Sequence, residues 1–219
     1  MARTNAAAPE MSVKKITVLY TDLRAFSELF AGLSPKEFAA MTDTYYRDAG
    51  EIIAAAGGTI DKFIGDSVVA LFNAEKQVSN PEKQALEAAL QLRERIEERW
   101  PGLPISIGIA TGKAVVGRFG PKFHRPFTAF GQVIHRASVL ERRSHFTGFK
   151  ILVDADTHTR IGRAARADAH PTFKHAALEG KGVYEISVDA RPSKSANGRS
   201  SNGRSSKGTT GRARGASKR

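Results

Sequence analysis

Two aspartates in the N-terminal half could form a cation-binding pair. Asp22 follows the alternating residues 15–21, which predict a strand, and Asp66 lies between two further strand-like runs at 59–64 and 67–72. Where such a strand and hairpin are neighbours in one sheet, the two carboxylates come close together. Oxygen ligands in an incomplete protein shell suit Mg²⁺ or Mn²⁺ that also binds substrate phosphates. Each aspartate taken alone is explained more simply as a solvated acid at a strand end or turn.

The elements that must position this pair have clear local signals. Residues 34–37 read Ser-Pro-Lys-Glu, a capping box with Pro at the first turn, and predict a helix that ends at Gly57-Gly58. Gly65-Asp66 predicts a tight turn that joins two strands into a hairpin. The remaining predicted elements are a helix at about 80–100, a strand pair at 104–112 and 113–120, a loop at 121–130, a helix at about 132–144, a strand at 149–154, a short helix and a hairpin around 180–182.

The predicted order of elements identifies a fold class. Strand, helix, hairpin, helix and strand in succession indicate an α+β protein with a ferredoxin-like split βαβ sandwich, which has a βαββαβ core. We expect a sheet containing antiparallel strands, with helices on one face and C-terminal αβ extensions. In this topology the first strand lies beside the hairpin, which is the condition for Asp22 and Asp66 to meet.

The charge of the chain is concentrated at its C-terminal end. The 219 residues carry a formal net charge of +12 at pH 7, and residues 191–219 contain nine Lys or Arg and no acid. This Ser, Gly and Arg-rich segment cannot bury enough apolar area to offset its chain entropy. We therefore predict a flexible N-terminus at 1–13, one folded domain at 14–188 and a disordered basic tail at 189–219. Such a tail could bind nucleic acid or anionic lipid without specificity.

Several function classes are excluded by what the sequence lacks. Cys is absent, which removes disulfides, thiolate nucleophiles and Cys-based metal sites. No GxxxxGK[ST] or GxSxG motif occurs, which argues against a P-loop and against a serine-hydrolase elbow. No apolar run approaches the roughly 20 residues that span a bilayer, so we expect no transmembrane segment and a cytoplasmic location.

Three sequence runs are similar to one known family. The runs T21-D-L-R-A-F-S27, G57-G-T-I-D-K-F-I-G-D-S-V-V-A-L-F72 and G108-I-A-T-G-K-A-V-V-G117 resemble the catalytic domain of class III adenylate/guanylate cyclases, in one order over residues 14–188. The resemblance implies that Asp22 and Asp66 hold two divalent cations, Mg²⁺ or Mn²⁺, with the Leu23 carbonyl as a further ligand. Phe26 and Ser27 then stand beside the substrate phosphates, although Ala25 replaces the usual glycine.

The resemblance also implies a substrate. The two positions that select the base in the family read Lys62 and Thr128 here. A Lys ammonium can donate to a ring nitrogen and a Thr hydroxyl can accept from an exocyclic amine, which fits adenine. The implied reaction converts ATP to 3′,5′-cyclic AMP and pyrophosphate for intracellular signalling. Without the resemblance, a solvent-facing strand Lys and a loop hydroxyl bonded to its own backbone explain both residues.

The chain departs from the family pattern in the helix after Gly131. His135 and Val139 stand where the family presents an Asn and, one turn later, an Arg that stabilises the transition state. The loss of one such group typically costs about 10² to 10³ in rate. Arg136 and Arg143 share a helix face with Val139 and could supply the charge, although basic residues on a solvated face are an equal alternative.

Two further expectations follow from the family pattern. Near the last predicted hairpin, where a phosphate-binding Lys is common, the chain has Glu179, with Lys181 two residues on. Members of the family share their sites between subunits, so the resemblance implies a head-to-tail homodimer, or a heterodimer with a more complete cyclase chain. The alternative function is a catalytically weak or inactive cyclase-like module that binds nucleotide or a partner.

Overall fold

The computed structural model describes residues 11–24, 26, 30–148, 150–162, 167–169, 175–178, 180 and 182–186, with only the backbone of 167–169. The described strands are β1 (Met11–Leu23), β2 (Thr59–Ile64), β3 (Ser67–Phe72), β4 (Ile105–Arg118), β5 (Phe127–Phe130), β6 (Ile151–Asp154), β7 (Ala167–Ala169) and β8 (Val183–Ile186). The described α-helices are α1 (Pro35–Ala55), α2 (Pro81–Arg99), α3 (Gln132–Phe146) and α4 (Ala155–Ile161), and a 3₁₀ turn covers Ala176–Leu178. None of these helices is both long and apolar enough to cross a lipid bilayer.

The strands form one mixed sheet in the order β2-β3-β1-β4-β6-β8-β7, and β5 pairs with the distal half of β4. β3 lies between β1 and β2 and is antiparallel to both. β4 is antiparallel to β1 on its other side, and β6 extends the sheet in parallel with β4. This is the split βαβ arrangement, so the predicted ferredoxin-like α+β core is confirmed, with β6, α4, β7 and β8 as the C-terminal extension.

The sheet is buried on both faces, which corrects the prediction that helices cover one face. α1 and α2 pack on one face, where alternate residues such as Leu19 of β1 and Ile107 of β4 point. α3 packs on the opposite face against Val18 and Ala110. Because β1 and β4 present apolar side chains in both directions, each face of the central sheet needs a helical cover.

The first helix and the hairpin lie where their local signals predict them. Ser34 caps α1 by accepting a hydrogen bond from the Glu37 amide, while the Glu37 carboxylate accepts from the Ser34 amide at 2.8 Å. β2 and β3 have the predicted bounds, and Gly65 turns between them with a φ of +59°. Both features depend on residues a few positions apart, so the sequence contains them almost completely.

Where a strand pair at 104–112 and 113–120 was expected, one continuous strand, β4 (Ile105–Arg118), occurs. Gly112 continues the pairing with Ile16 of β1, so no turn occurs there. The reason for glycine is lateral space, because a Cβ at this position would lie 2.4 Å from Nη2 of the buried Arg136. β1 also begins four residues before its predicted start, since Met11 and its neighbours pair with the far end of β4. Part of the predicted loop, Phe127–Phe130, pairs with β4 as β5.

Candidate active site

The fold brings Asp22 and Asp66 to one end of the central strands. Asp22 is the penultimate residue of β1 and pairs with Ser67, the first residue of β3. Asp66 occupies the β2–β3 turn directly before Ser67. The Leu23 amide donates a hydrogen bond to the Asp66 carbonyl at 3.4 Å, which fixes the end of β1 against the turn. Two carboxylates from separate elements therefore share one place in the structure.

The two carboxylates interact electrostatically. Partial burial raises the pKa of Asp66, and the negative charge of Asp22 raises it further, against a smaller opposing effect of Arg24. Both causes disfavour a second negative charge beside the first. A cation placed between the pair would relieve that repulsion and favour the ionised form of Asp66. The site therefore has the electrostatic character of a cation-binding pair.

Asp22 is held in position by a hydrogen bond and an ion pair. Ser67 donates a hydrogen bond from Oγ to Oδ2 of Asp22 at 2.5 Å. Nε of Arg24 lies 3.2 Å from Oδ1 of the same carboxylate. Arg24 in turn reaches α3, where its Nη2 donates to Oε1 of Glu141 at 2.6 Å. Sequence reasoning missed this contact because Arg24 and Glu141 are 117 positions apart.

Glu141 is a buried acid on α3. Its side chain is 4% exposed and is paired with Arg24. Burial raises the pKa of the Glu141 carboxyl to about 7, and the charge of Asp22 adds to this effect, which Arg24 only partly opposes. The wall of the site that α3 contributes is therefore acidic as well as buried.

The donor set at this end of the sheet fits hard divalent cations. It consists of two carboxylates, Asp22 and Asp66, with the backbone carbonyl of Leu23 nearby in the chain. Within the described ranges, no three His, Asp or Glu side chains converge in a metal-binding arrangement. Carboxylate and carbonyl oxygens are ligands that Mg²⁺ takes in proteins, where it usually keeps further positions for water and substrate phosphates.

The turn that carries Asp66 is supported from α1. Tyr46 donates a hydrogen bond from its hydroxyl to the Gly65 carbonyl at 2.5 Å. The Tyr46 ring also stacks on Phe63, with the ring centroids 4.0 Å apart. The helix therefore contacts the hairpin at its tip and on the strand β2 that leads into it, and Tyr46 is a further residue of the site that the sequence did not single out.

Lys62 lies in β2 and is paired with its neighbour Asp61. The Lys62 ammonium is 3.2 Å from Oδ2 of Asp61 in an ion pair without aligned hydrogen-bond geometry. The Lys62 side chain is 48% exposed, whereas that of Asp61 is 1% exposed. The β2–β3 register shifts between Ile60 and Lys62, so the strand is irregular where this pair occurs. The Lys62 ammonium therefore faces solvent while it is paired with a buried carboxylate.

Thr128 is the second predicted base-selecting residue, and it lies in β5. Its hydroxyl oxygen is buried and has no hydrogen-bond partner among the residues that the structure describes. The alternative of a loop hydroxyl bonded to its own backbone is therefore wrong. β5 approaches β2, the strand that carries Lys62, although the two strands do not pair. A buried hydroxyl without a partner costs free energy, which a bound ligand could recover by hydrogen bonding.

Arg136 lies in a buried ion pair, away from the role that sequence spacing suggested. Its Nε is 3.1 Å from Oδ2 of Asp154, and its Nη2 donates to the Thr111 carbonyl at 2.8 Å. The Arg136 side chain is 6% exposed. Because the guanidinium connects α3 to β4 and β6, Arg136 does not enter the proposed site.

The other α3 positions differ in environment. Val139 is buried on the inner face of the helix and carries no charge. His135 is exposed, with its ring centroid 6.0 Å from that of His175. Arg143 is partly exposed, one turn beyond Val139, and its role in the transition state stays a prediction.

The predicted phosphate contacts are only partly described. Phe26 is buried in the core, where its ring lies 4.7 Å from that of Phe30 and 5.5 Å from that of Phe38. Its side chain therefore supports the segment after β1 from inside. Ser27 and Lys181 lie outside the described residues, as does the predicted tail.

The ferredoxin-like sandwich and the paired acids at the end of β1 and in the β2–β3 turn are those expected of a nucleotide cyclase. Residues 9–186 match the family model of the adenylate and guanylate cyclase catalytic domain. The chain belongs to this family.

Curated relatives include adenylate cyclases from bacteria. The chain is 37% identical over 147 residues to Adenylate cyclase 1 of Rhizobium meliloti (strain 1021), a match that covers 64% of this chain and 22% of the relative. It is 29% identical over 193 residues to an adenylate cyclase of Anabaena cylindrica, which covers 81% and 38% respectively. The chain thus spans less than two fifths of the length of either relative.

Solved structures of both cyclase types are similar. The adenylyl cyclase CyaB from P. aeruginosa superposes with a TM-score of 0.71 at 26% identity, over 81% of this chain and 96% of that chain. The guanylyl cyclase Cya2 superposes with a TM-score of 0.62 at 24% identity, over 80% and 92%. The second likeness concerns the fold alone.

Proposed function

We propose that the protein converts ATP to 3′,5′-cyclic AMP and pyrophosphate. The observation that carries the proposal is the meeting of Asp22 and Asp66 at the end of β1 and the β2–β3 turn. In the reaction the ribose 3′-oxygen forms a bond to the α-phosphorus. The bond from that phosphorus to the oxygen bridging to the β-phosphate breaks, pyrophosphate leaves, and the 3′-hydroxyl proton passes to solvent.

Asp22, Asp66 and the Leu23 carbonyl would hold two divalent cations, Mg²⁺ or Mn²⁺. Such ions, when bound, lower the pKa of the attacking hydroxyl and neutralise charge on the triphosphate and on the leaving pyrophosphate. The contribution of the chain is to orient the carboxylates. Ser67 and Arg24 do so for Asp22, because each contacts one of its two oxygens.

Lys62 and Thr128 would select the base. The Lys62 ammonium can donate to the unprotonated ring nitrogen of adenine, and Thr128 Oγ1 can accept from the exocyclic amine. Guanine presents an N–H and a carbonyl at these positions. Its ring N–H would face the Lys62 ammonium, so two donors would meet. The buried hydroxyl of Thr128, which lacks a partner, and the outward ammonium of Lys62 support this assignment.

We extend the proposal to a head-to-tail homodimer with two shared sites. The purine-selecting residues of one subunit would then complete the carboxylate pair of the other. A partner chain with the missing Asn and Arg of α3 would be the heterodimeric version of the same arrangement.

A second candidate is a nucleotide-binding module without turnover. The observation that favours it is the buried, uncharged Val139, together with the ion-paired Arg136. Neither residue can stabilise charge that develops on a transferring phosphoryl group. This candidate retains the base contacts and the cation pair.

The test is cyclic-nucleotide production by the purified chain with ATP or GTP, in Mg²⁺ and in Mn²⁺. Asp66→Asn removes the carboxylate at constant shape, and Asp43→Asn on the exposed face of α1 is the matched control. Cyclic AMP that is lost in Asp66→Asn and kept in Asp43→Asn supports the enzyme. ATP binding without product at high protein concentration supports the module and contradicts the proposed reaction.

A further inference from the structure

Arg24 lies between the carboxylate pair and α3. Its Nε is 3.2 Å from Oδ1 of Asp22 and donates to Oγ of Ser106 at 3.2 Å. Its Nη2 donates to Oε1 of Glu141 at 2.6 Å. Its backbone amide donates to the Pro104 carbonyl at 2.9 Å. Side chain and backbone are thus both fixed, from three different elements of the fold.

We propose that Arg24 and Glu141 form a positioning pair, which sets the orientation of the Asp22 carboxylate toward its cation and couples that orientation to α3. The inference rests on the proposed function and deepens it. Arg24 need not touch substrate, because it acts through Asp22. The Asp22 carboxylate has one oxygen bonded to Ser67 and the other beside Arg24, so its two side-chain torsions are determined from outside.

The chemistry of guanidinium explains why this position is occupied by Arg. The planar guanidinium places its Nε–H beside both Asp22 and Ser106 while Nη2 donates to Glu141, whereas a Lys ammonium is a single point charge on a flexible stem. Arg24 also places one positive charge among three acids, Asp22, Asp66 and Glu141. Without Arg24, the buried Glu141 would have no ionic partner and would lie near Asp22 and Asp66, which already repel each other.

The coupling to α3 has a specific consequence. Glu141 lies two residues beyond Val139, on α3 of the same chain as Asp22. A displacement of α3 would therefore move the Asp22 carboxylate through Arg24. The partners of metal ligands commonly contribute about 10- to 100-fold in metal affinity or activity.

The experiment compares Arg24→Lys, Glu141→Gln and the double variant Arg24→Met/Glu141→Leu in the full chain. The double variant replaces a buried ion pair by apolar side chains of similar size, a change that generally permits folding. Arg95→Met is the matched control, because Arg95 pairs with the buried Asp48, which keeps Arg99 as a second partner. Each variant is titrated with Mn²⁺ alone by electron paramagnetic resonance, and its melting temperature, kcat and KM for ATP are measured.

We expect Arg24→Lys and the double variant to bind Mn²⁺ about 10- to 100-fold more weakly and to lose kcat by a similar factor. KM for ATP should change little. Glu141→Gln, which keeps an acceptor for Arg24, should retain most of the Mn²⁺ affinity of the unaltered chain. Arg95→Met should bind Mn²⁺ as the unaltered chain does. A merely structural role would lower the melting temperature and leave the Mn²⁺ affinity of the folded protein unchanged.

The outcomes separate this inference from the proposed function. If the unaltered chain makes cyclic AMP while folded Arg24→Lys binds Mn²⁺ normally, the positioning role is wrong and the reaction stands. If the chain binds Mn²⁺ and Arg24→Lys weakens that binding, the positioning role stands even when no cyclic nucleotide forms. An unaltered chain that binds no Mn²⁺ contradicts both.

Discussion

The ion pair of Lys62 with Asp61 joins an exposed cation to a buried acid, with side-chain exposures of 48% and 1%. Burial fixes the acid, so the position of the ammonium is restricted even though it contacts solvent. An ammonium that is held in place can discriminate between bases, because it cannot turn away from the ring N–H of guanine.

Lys62→Glu should reverse the base preference. A carboxylate repels the ring nitrogen of adenine and accepts from the N–H of guanine, so kcat/KM for ATP should fall at least about tenfold, the worth of one hydrogen bond to a charged group. The ratio of ATP to GTP turnover should shift toward GTP. Initial rates with both nucleotides measure this ratio, with Lys83→Glu on α2 as the surface control. An unchanged ratio would place Lys62 outside base recognition.

Glu141 should make the stability of the protein depend on pH. Its pKa rises from 4.5 to about 7 on folding, so the folded chain holds a proton that the unfolded chain releases. The free energy of unfolding should therefore decrease as pH rises from about 4.5 through about 7, by at most about 3 kcal/mol from this group. Urea unfolding at pH 5 and pH 8 measures the difference.

The matched variant for this pH effect is Glu141→Gln, which cannot ionise. Its difference in unfolding free energy between pH 5 and pH 8 should be smaller than that of the unaltered chain. A part should remain, because burial also raises the pKa of Asp66 and Asp154. Equal slopes in both proteins would contradict a buried, proton-binding Glu141.

The residues of the site divide by how far their partners lie along the chain. Asp22 and Asp66 could be predicted, because each stands at a strand end or turn that its neighbours define. The roles of Arg24, Glu141 and Arg136 could not. Their partners lie 117 positions away for Arg24 and Glu141, and 18 positions away for Arg136 and Asp154. Helix spacing placed Arg136 on a useful face but contained no information about a buried acid opposite it.

The packing of α3 on β4 depends on a missing side chain. A Cβ at Gly108 would lie 2.3 Å from the Ala137 carbonyl oxygen and 2.3 Å from the Glu141 amide nitrogen. Backbone atoms of a helix cannot move individually, so α3 as a whole would be displaced. The close approach of these two elements therefore sets the height of Glu141 above the sheet.

Gly108→Ala should destabilise the protein and weaken the site together. Overpacking of this kind costs about 1 to 3 kcal/mol or more, which a lower urea midpoint would show. Gly50→Ala in α1 is the control, since a Cβ there meets nothing within 4 Å and should stabilise the helix by about 0.5 to 1 kcal/mol. A Gly108→Ala midpoint equal to that of the unaltered chain would contradict the observed contact.

Elements defined by local signals were predicted with correct bounds, whereas β4 was not. Capping at Ser34 and the Gly65 turn act within a few residues, so the sequence pattern specifies them. A glycine such as Gly112 is also a turn signal, yet here it leaves space for the side chain of Arg136, which lies on a later helix. Only the tertiary structure distinguishes a glycine that forms a turn from one that leaves space for a neighbouring side chain.

At the scale of the assembly, the proposed shared sites predict complementation between two inactive variants. Asp66→Ala removes the carboxylate pair and Lys62→Ala removes the base contact, so each homodimer should be inactive. In a mixed dimer one of the two sites contains neither substitution. Mixing equal amounts should therefore restore about a quarter of the unaltered activity, because half of the dimers are mixed and each has one intact site.

The control for complementation mixes Asp66→Ala with Asp22→Ala. Both substitutions affect the same half of the site, so every site keeps at least one of them and no activity should return. Recovery in this control, or none in the first mixture despite subunit exchange measured by fluorescence energy transfer, would contradict a site shared between subunits.

The two acids of the site belong to parts of the sheet that should open at different rates. Asp22 has β3 on one side and β4 on the other, whereas Asp66 lies at the tip of a hairpin whose outer strand, β2, pairs only with β3 among the described strands. Amide hydrogen exchange should thus be slow around Asp22 and faster around Asp66, because hairpin tips open without global unfolding. A cation held by both carboxylates would link the hairpin tip to the central strand β1. Slower hydrogen exchange of the amides at the hairpin tip would then report that the cation site is occupied.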